Sequence, residues 1–184
     1  MVRTAGGSNG ERLRLSERDG VLPWTRHCLV CGEQNMRGFQ QRSRVQGGNT
    51  VVLDYVPRET DVGWKTLVHG GISMILLDEV MTWAAMLASR RACVAVDVHT
   101  RLRAPVRVGK AVRAEGWACR VSGRMCETGG CLLDVEGQVL SETTGRYLPM
   151  PKSEFALSRD DFMTDGDSLD LGDLITEGGP HDHA

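Results

Sequence analysis

The chain has 184 residues, of which 41% are hydrophobic and 25% are charged, and its formal net charge is −2. This balance is typical of one globular domain and excludes a mostly disordered or membrane-embedded chain. Nine acidic residues and one arginine fall in residues 154–184, so the rest of the chain contains 15 acids against 21 lysines and arginines. The body of the chain is therefore positively charged, which favours anionic ligands. We do not expect nucleic acid to be a partner.

The two ends of the chain are polar, and we expect residues 1–20 and the acidic tail, residues 153–184, to lack fixed structure. One folded domain is expected between them, over residues 21–152. The first twenty residues lack the basic and then apolar order of a secretory signal, which predicts a cytoplasmic location. In that compartment the six cysteines are expected to be free thiols.

A strand is predicted for residues 49–56 and a long helix for residues 72–88. The helical segment is apolar on nearly all sides, too long for a buried strand, and free of proline and glycine. It contains two adjacent acids and is shorter than the ~20 apolar residues that a bilayer requires. We therefore predict a core helix and no membrane partner.

Four more strands are predicted after the helix, over residues 94–104, 111–121, 125–135 and 138–148, with turn residues between them. The first of them alternates, so that Val94, Val96 and Leu102 share a face that we expect to be covered. A strand, a long helix and four closely connected strands predict an α+β fold. In this fold an antiparallel sheet is wrapped around one long central helix.

Two glycines, Gly70 and Gly71, come immediately before this helix. They leave the first backbone N–H groups of the helix unobstructed, at the positive end of its dipole. Such donors can hold the negative charge that a carbonyl oxygen gains during acyl transfer. The same glycines also fit a tight turn from strand to helix, and the pattern alone leaves both interpretations open.

Asp78 and Glu79 are the only charged residues of the helix. A buried carboxylate costs several kcal/mol unless it is paired or protonated. One explanation is an ion pair with an arginine of a strand, and the other is a carboxylate held in a cleft as nucleophile or general base. Adjacent residues point in different directions on a helix, so one acid can do chemistry while the other makes a structural bond.

The spacing of Gly70 and Asp78 indicates how many chains form one site. Gly70 and Asp78 are eight residues apart, which corresponds to ~12 Å along a helix. That is too far for both to contact one carbonyl carbon within a single chain. Two helices running antiparallel across a twofold axis would bring Gly70 of one chain near Asp78 of the other. The spacing predicts a homodimer with two shared sites, with pairing of dimers left open.

Four short motifs carry a resemblance to a known family: VHGG at residues 68–71, LLDE at 76–79, LRAPV at 102–106 and EGQVL at 136–140. Over roughly residues 28–149 the chain resembles the hotdog-fold thioesterase superfamily, in its phenylacetate-pathway-like (PaaI-like) branch. The resemblance implies a hotdog fold and hydrolysis of an acyl-CoA thioester. Coenzyme A would be part of the substrate, and no other cofactor or metal is expected.

The resemblance also implies roles for individual residues. Gly70 becomes the backbone donor to the oxyanion, His69 supports that turn, Asp78 is the nucleophile or general base, and Glu79 is secondary. Gly71 is expected to contact substrate beside Gly70. Relatives often place an Asn a few residues before the His, and a Ser or Thr ten residues before the strand proline. Here those positions hold Gly63 and Ala95.

Four other residues are candidates for substrate binding. Asn35, in an N-terminal Cys-x-x-Cys segment, is predicted to reach the site in place of the missing groups. Arg101 and Arg103 suit the phosphates of coenzyme A, or else lie on a solvated sheet edge. Trp64 is expected to line an acyl pocket or to lie in the core.

Cys28 and Cys31 have the spacing of half a zinc site, but no second pair of ligands follows at matching spacing. We therefore expect no metal. The alternative to a thioesterase is a non-catalytic protein that binds acyl-CoA or another acyl ligand on the same fold. A hydratase is a third candidate, although its usual Asp-x-x-x-x-His pattern is absent because Trp83 follows Asp78 by five residues.

Overall fold

The computed structural model describes residues 11–151, 153–155 and 159–176. The sequence-based predictions for residues 1–10, 152, 156–158 and 177–184 lie outside these ranges. The described chain contains one antiparallel sheet of seven strands, two small two-stranded sheets and one long helix.

The strands of the large sheet are β1 (Gly20–Val21), β3 (Arg44–Gln46), β4 (Thr50–Tyr55), β7 (Cys93–Leu102), β8 (Val112–Ser122), β9 (Met125–Asp134) and β10 (Val139–Pro149). Their order in the sheet is β1-β3-β4-β8-β9-β10-β7, and every neighbouring pair is antiparallel. The small sheets join β2 (Trp24–Thr25) to β11 (Phe162–Met163), and β5 (Val62–Trp64) to β6 (Leu67–Val68). The helix α1 spans Gly70–Ser89.

The predicted fold is confirmed, because the sheet wraps around the single long helix α1. The helix begins two residues before the predicted segment and ends one residue after it. Each of the five predicted strands is present, with bounds that differ by at most two residues. Hydrophobic periodicity located these elements because α1 buries most of its circumference and each strand except β7 buries one face.

The helix α1 packs closely on the sheet because glycines replace side chains at the contact. A Cβ on Gly116 of β8 would lie 2.7 Å from the backbone carbon and oxygen of Val80. By length and composition α1 could also cross a membrane, and it is the only such helix in the described ranges. Leu76, Leu77 and Met81 are nevertheless at most 1% exposed, as in a core helix.

The described parts of both ends are packed against the domain, which differs from the expectation that they lack fixed structure. Leu15 is buried and its N–H donates to the carbonyl of Gly48. In the acidic tail, four apolar residues separated by glycine and acids are buried in the core: Leu169, Leu171, Leu174 and Ile175. Taken together, their spacing matches neither a helical nor a strand period, so the sequence did not predict their burial. The four buried side chains nevertheless anchor the segment to the domain.

The strand β7 lies at one edge of the large sheet, with β10 as its only neighbour among the described residues. The prediction that its apolar face is covered is wrong for the single chain. Val94, Val96 and Leu102 are 42%, 52% and 54% exposed. A ten-residue edge strand with exposed apolar side chains is a surface suited to pairing with another strand.

Candidate functional site

The turn into α1 is held by His69, which is the N-cap residue of the helix. The Nδ1 atom of His69 accepts a hydrogen bond of 3.0 Å from the backbone N–H of Gly71. His69 therefore caps the helix, and its role at a catalytic site stays a prediction. The N–H of Gly71 is occupied by this bond, so Gly70 is the better candidate to donate to a ligand.

Gly70 lines a cavity of about 310 Å³ next to the end of β7. Ser73, Leu102 and Arg103 also line it, together with the segment from Ala104 to Val106. A Cβ on Gly70 would lie 2.8 Å from Cδ1 of Leu102. The absence of a side chain at residue 70 therefore keeps the backbone at the helix start accessible from this cavity.

The carboxylate of Asp78 accepts a hydrogen bond from Tyr147. The hydroxyl of Tyr147, on β10, lies 2.8 Å from Oδ1 of Asp78, and the tyrosine is fully buried. Burial, and then the adjacent charge of Asp78, raise the pKa of the Tyr147 hydroxyl, which therefore remains a donor. Asp78 itself is only partly buried. The bond fixes the position of one carboxylate oxygen of Asp78.

Glu79 points to a different group of residues from Asp78. Its Oε1 accepts a hydrogen bond of 3.0 Å from Nε1 of Trp83, one helical turn later. Its Oε2 accepts a hydrogen bond of 3.6 Å from the thiol of Cys28. Burial, followed by the charge of Cys28, raises the pKa of Glu79 to about 8. The two acids of α1 thus have separate environments.

The thiols of Cys28 and Cys31 lie beside Glu79, and the ligand atoms of all three residues are within 4.8 Å of one another. The hydrogen bond from Cys31, and further bonds from backbone N–H groups, lower the pKa of Cys28 to about 6. The pKa of the Cys31 thiol is raised, mainly by its bond to Cys28 and by burial. Both cysteines are free thiols, as predicted.

Asn35 and Trp64, two of the predicted substrate-binding residues, lie in a loop and on the surface. The side-chain amide of Asn35 donates to the carbonyls of His27 and Cys28, and its oxygen accepts from the N–H of Arg37. Asn35 therefore stabilises the Cys28–Cys31 loop. Trp64 is 80% exposed on β5, so it lies neither in the core nor in a described pocket of this chain.

The two arginines on this side of the sheet differ in their partners. Arg103 forms a salt bridge of 2.6 Å with Glu142, and it also lines the cavity at Gly70. Arg101 is exposed at the edge strand and has no ion pair within the described chain. Arg101 is thus the more available of the two for an anionic ligand.

Gly63 and Ala95, the positions that differ from the family pattern, both lie next to residues of the site. A Cβ on Gly63 would lie 3.1 Å from Cα of His69, so the hairpin of β5 and β6 packs tightly on the helix cap. Ala95 is paired in register with Tyr147. The Tyr147 hydroxyl supplies a polar contact to Asp78 beside a strand position where relatives often carry a hydroxyl.

Sequence reasoning did not find Tyr147, Trp83 or the link between Glu79 and the cysteines. Trp83 had a local signal, because residues four apart are neighbours on a helix. Tyr147 is 69 residues from Asp78, and Cys28 is 51 residues from Glu79. Only the folded arrangement brings these pairs together.

Comparisons with known proteins agree with this fold. Residues 66–141 match the family described as the thioesterase superfamily. A crystal structure of a thioesterase superfamily protein is 25% identical, with a TM-score of 0.63. That alignment covers 67% of this chain and 63% of the other, so this chain spans less than two thirds of that protein's length. No curated protein matches the chain.

Two further solved structures share the fold. The PaaI protein from the phenylacetic acid degradation operon of E. coli is 14% identical, with a TM-score of 0.53 over 55% of this chain and 73% of that one. A protein from Streptococcus mutans, solved with acetyl CoA bound, is 11% identical, with a TM-score of 0.53 over 55% of this chain and 82% of that one.

The sheet wrapped around α1 defines a hotdog fold, and within it residues 66–141 match the thioesterase superfamily. The resemblance stated from its motifs is confirmed at this level. The PaaI-like branch stays a prediction, because similarity to the E. coli protein at 14% identity shows the fold alone.

Proposed function

We propose that the protein is an acyl-CoA thioesterase in which Asp78 is the nucleophile or general base and Gly70 is the backbone donor to the oxyanion. The observation that carries this proposal is the carboxylate of Asp78, which Tyr147 holds on the helix that opens at the Gly70 cavity. The match of residues 66–141 to the thioesterase superfamily supports this reaction class.

The chemistry follows one of two routes. In the first, Asp78 attacks the thioester carbonyl, the coenzyme A thiolate leaves, and water cleaves the resulting anhydride. In the second, Asp78 removes a proton from a water molecule, which attacks the carbonyl directly. In both routes the carbonyl oxygen becomes negative, and the N–H of Gly70 at the positive end of α1 stabilises it.

The site is formed by two chains in this proposal. Gly70 and Asp78 lie ~12 Å apart along α1, so each thioester uses Gly70 of one protomer and Asp78 of the other. The long edge strand β7, with Val94, Val96 and Leu102 exposed, supports self-association. The assembly is a homodimer or a pair of such dimers.

The proposed substrate is an acyl-CoA, and coenzyme A enters only as part of it. The Streptococcus mutans structure, which shares the fold, contains acetyl CoA. The positive body of this chain and the exposed Arg101 suit the phosphates of such a ligand. We further propose a cytoplasmic location, with neither nucleic acid nor membrane as a partner.

Release of free thiol from a panel of acyl-CoA thioesters tests the proposal. The native protein should cleave at least one of them, and Asp78→Ala should lower kcat by about 10²- to 10⁴-fold. Glu127→Gln, which alters a partly exposed acid paired with Arg120, is the control and should keep full activity. If Glu79→Ala is inactive while Asp78→Ala is active, the roles assigned to the two acids are wrong.

The second candidate is a non-catalytic protein that binds acyl-CoA. It is favoured by Ala95 and Gly63, where relatives often carry groups that position substrate or water. If no thioester is cleaved but an acyl-CoA raises the melting temperature of the native protein, this second function replaces the first.

A further inference from the structure

Cys28, Cys31 and Glu79 form a group of potential metal ligands that the proposed hydrolysis does not use. We propose that these three residues bind a zinc ion. The site would join the N-terminal loop to α1 at the residue next to Asp78. This inference concerns a bound metal and does not depend on thioesterase activity.

The backbone around the two cysteines is shaped for a metal. The N–H of Val30 donates to Sγ of Cys28 at 3.3 Å, and the N–H of Gly32 donates to the carbonyl of Cys28 at 3.0 Å. A Cβ on Gly32 would lie 2.2 Å from that carbonyl oxygen, so only glycine fits after Cys31. This tight turn directs both sulfur atoms to the same side of the loop.

The distance between Cys28 and Glu79 agrees with a tetrahedral site. Zinc lies about 2.3 Å from thiolate sulfur and about 2.1 Å from carboxylate oxygen, which places a sulfur and an oxygen ligand about 3.6 Å apart. Sγ of Cys28 and Oε2 of Glu79 are 3.6 Å apart. All three ligand atoms lie within 4.8 Å of one another, so small movements suffice to enclose an ion.

Neighbouring groups orient the three ligands. Nε1 of Trp83 holds one carboxylate oxygen of Glu79, which leaves Oε2 directed to the cysteines. The hydroxyl of Thr25 lies 3.6 Å from the sulfur of Cys31 and also accepts a hydrogen bond from the N–H of Cys28. Such outer contacts are typical of metal sites, where they fix the direction of each ligand.

A bound cation would replace the protons of this group and balance its charge. Two thiolates and a carboxylate would carry three negative charges, and within the described ranges none of the three residues has a salt bridge to a lysine or arginine. Thiolate ligands select zinc over magnesium or calcium, and the carboxylate disfavours copper(I). The described residues supply three ligands, so water occupies the fourth position of the tetrahedron.

This proposal differs from the sequence-based expectation of no metal. That expectation counted only ligands at matching spacing along the chain, whereas the third ligand comes from α1. The search for a second Cys or His pair could not find a single carboxylate supplied by a distant element.

Metal analysis of the full chain, purified under reducing conditions without a chelator, tests the site. The native protein should retain about one zinc ion per chain, and cobalt(II) should produce the absorption of a thiolate-bound ion. Cys28→Ser, Cys31→Ser and Glu79→Gln should each lower the bound metal at least tenfold. Cys119→Ser, which changes a partly buried cysteine of β8 outside the group, is the matched control and should bind as the native chain does.

A second measurement uses only the native chain, and so avoids any folding defect of a variant. Mapping of alkylated cysteines by mass spectrometry should show Cys28 and Cys31 protected with zinc and modified after a strong chelator. The proposal is overturned if the native chain, incubated with zinc and then freed of unbound ion, retains no stoichiometric metal. It is also overturned if Cys119→Ser loses as much metal as Cys28→Ser. A third contrary result is a native chain that holds no metal and whose mass is lower by two hydrogen atoms, with Cys28 and Cys31 joined in a disulfide.

Discussion

The hydroxyl of Tyr147 donates a hydrogen bond of 2.8 Å to Oδ1 of Asp78, across the contact between β10 and α1. Tyr147 is fully buried, whereas Asp78 is only partly buried. The tyrosine is therefore a fixed donor that determines where one oxygen of the acid lies. If Asp78 attacks or activates water, its orientation depends on this residue.

Tyr147→Phe should lower kcat by about 10- to 100-fold, because a hydrogen bond to a charged group contributes about 1.5–3 kcal/mol. KM should change little, because the ring that packs in the core remains. Steady-state kinetics of thioester cleavage measure both. Tyr55→Phe is the matched control, since Tyr55 is a buried tyrosine whose hydroxyl contacts Asp61 instead. An unchanged kcat in Tyr147→Phe would remove the positioning role.

Gly70→Ala should lower kcat/KM, because the added methyl group would lie 2.8 Å from Cδ1 of Leu102 and obstruct the helix start. Leu102→Ala removes the obstructing side chain. The double variant should therefore recover part of the loss, with a coupling of about 0.5–3 kcal/mol between the two sites. Strictly additive losses in this cycle would show that residue 70 acts in another way.

Val96→Asp should weaken self-association, because it places a charge on the exposed edge of β7. Sedimentation velocity should show a shift from dimer to monomer, and activity should fall with the fraction of dimer. Val135→Asp makes the same change at a residue that is 75% exposed in the turn after β9, and it should leave both unchanged. Full activity of a monomeric Val96→Asp chain would contradict a shared site.

Gly116→Val should destabilise the fold, because its side chain would start 2.7 Å from the backbone of Val80 and push α1 from the sheet. Overpacking of this kind costs about 1–3 kcal/mol. In a chain of this size, the melting temperature should fall by about 2–4 °C for each kcal/mol. Gly166→Ala, where an added Cβ contacts nothing within 4 Å, is the control and should melt as the native protein does.

The sequence was sufficient to predict the fold, since α1 and the five long strands carry strong periodic patterns and short turns connect them. It also singled out Gly70, His69 and Asp78, because His69 and Gly70 are adjacent and Asp78 follows His69 by nine residues, as in the family that the motifs resemble. It could not predict the order of strands around β7 or the packing of Leu169 and Leu171. Those contacts depend on long-range packing and on isolated apolar residues.

The sequence did not predict the contacts of Tyr147 and Cys28 for the same reason. Tyr147 and Cys28 each contact an acid of α1 that is more than 50 residues away along the chain. Neither contact leaves a local spacing pattern. Glu79 looked like a second catalytic candidate because its charge is visible in the sequence while its partners are not.

Asp78 and Glu79 are adjacent, so their side chains leave α1 at directions that differ by ~100° about the helix axis. One is bonded to β10 through Tyr147, and the other contacts the N-terminal loop through Cys28. Rotation of α1 about its own axis in either sense would break one of these attachments. Each acid therefore limits the rotation of the other about the helix axis. A change in the loop that contains Cys28 should consequently alter the direction of the Asp78 carboxylate as well.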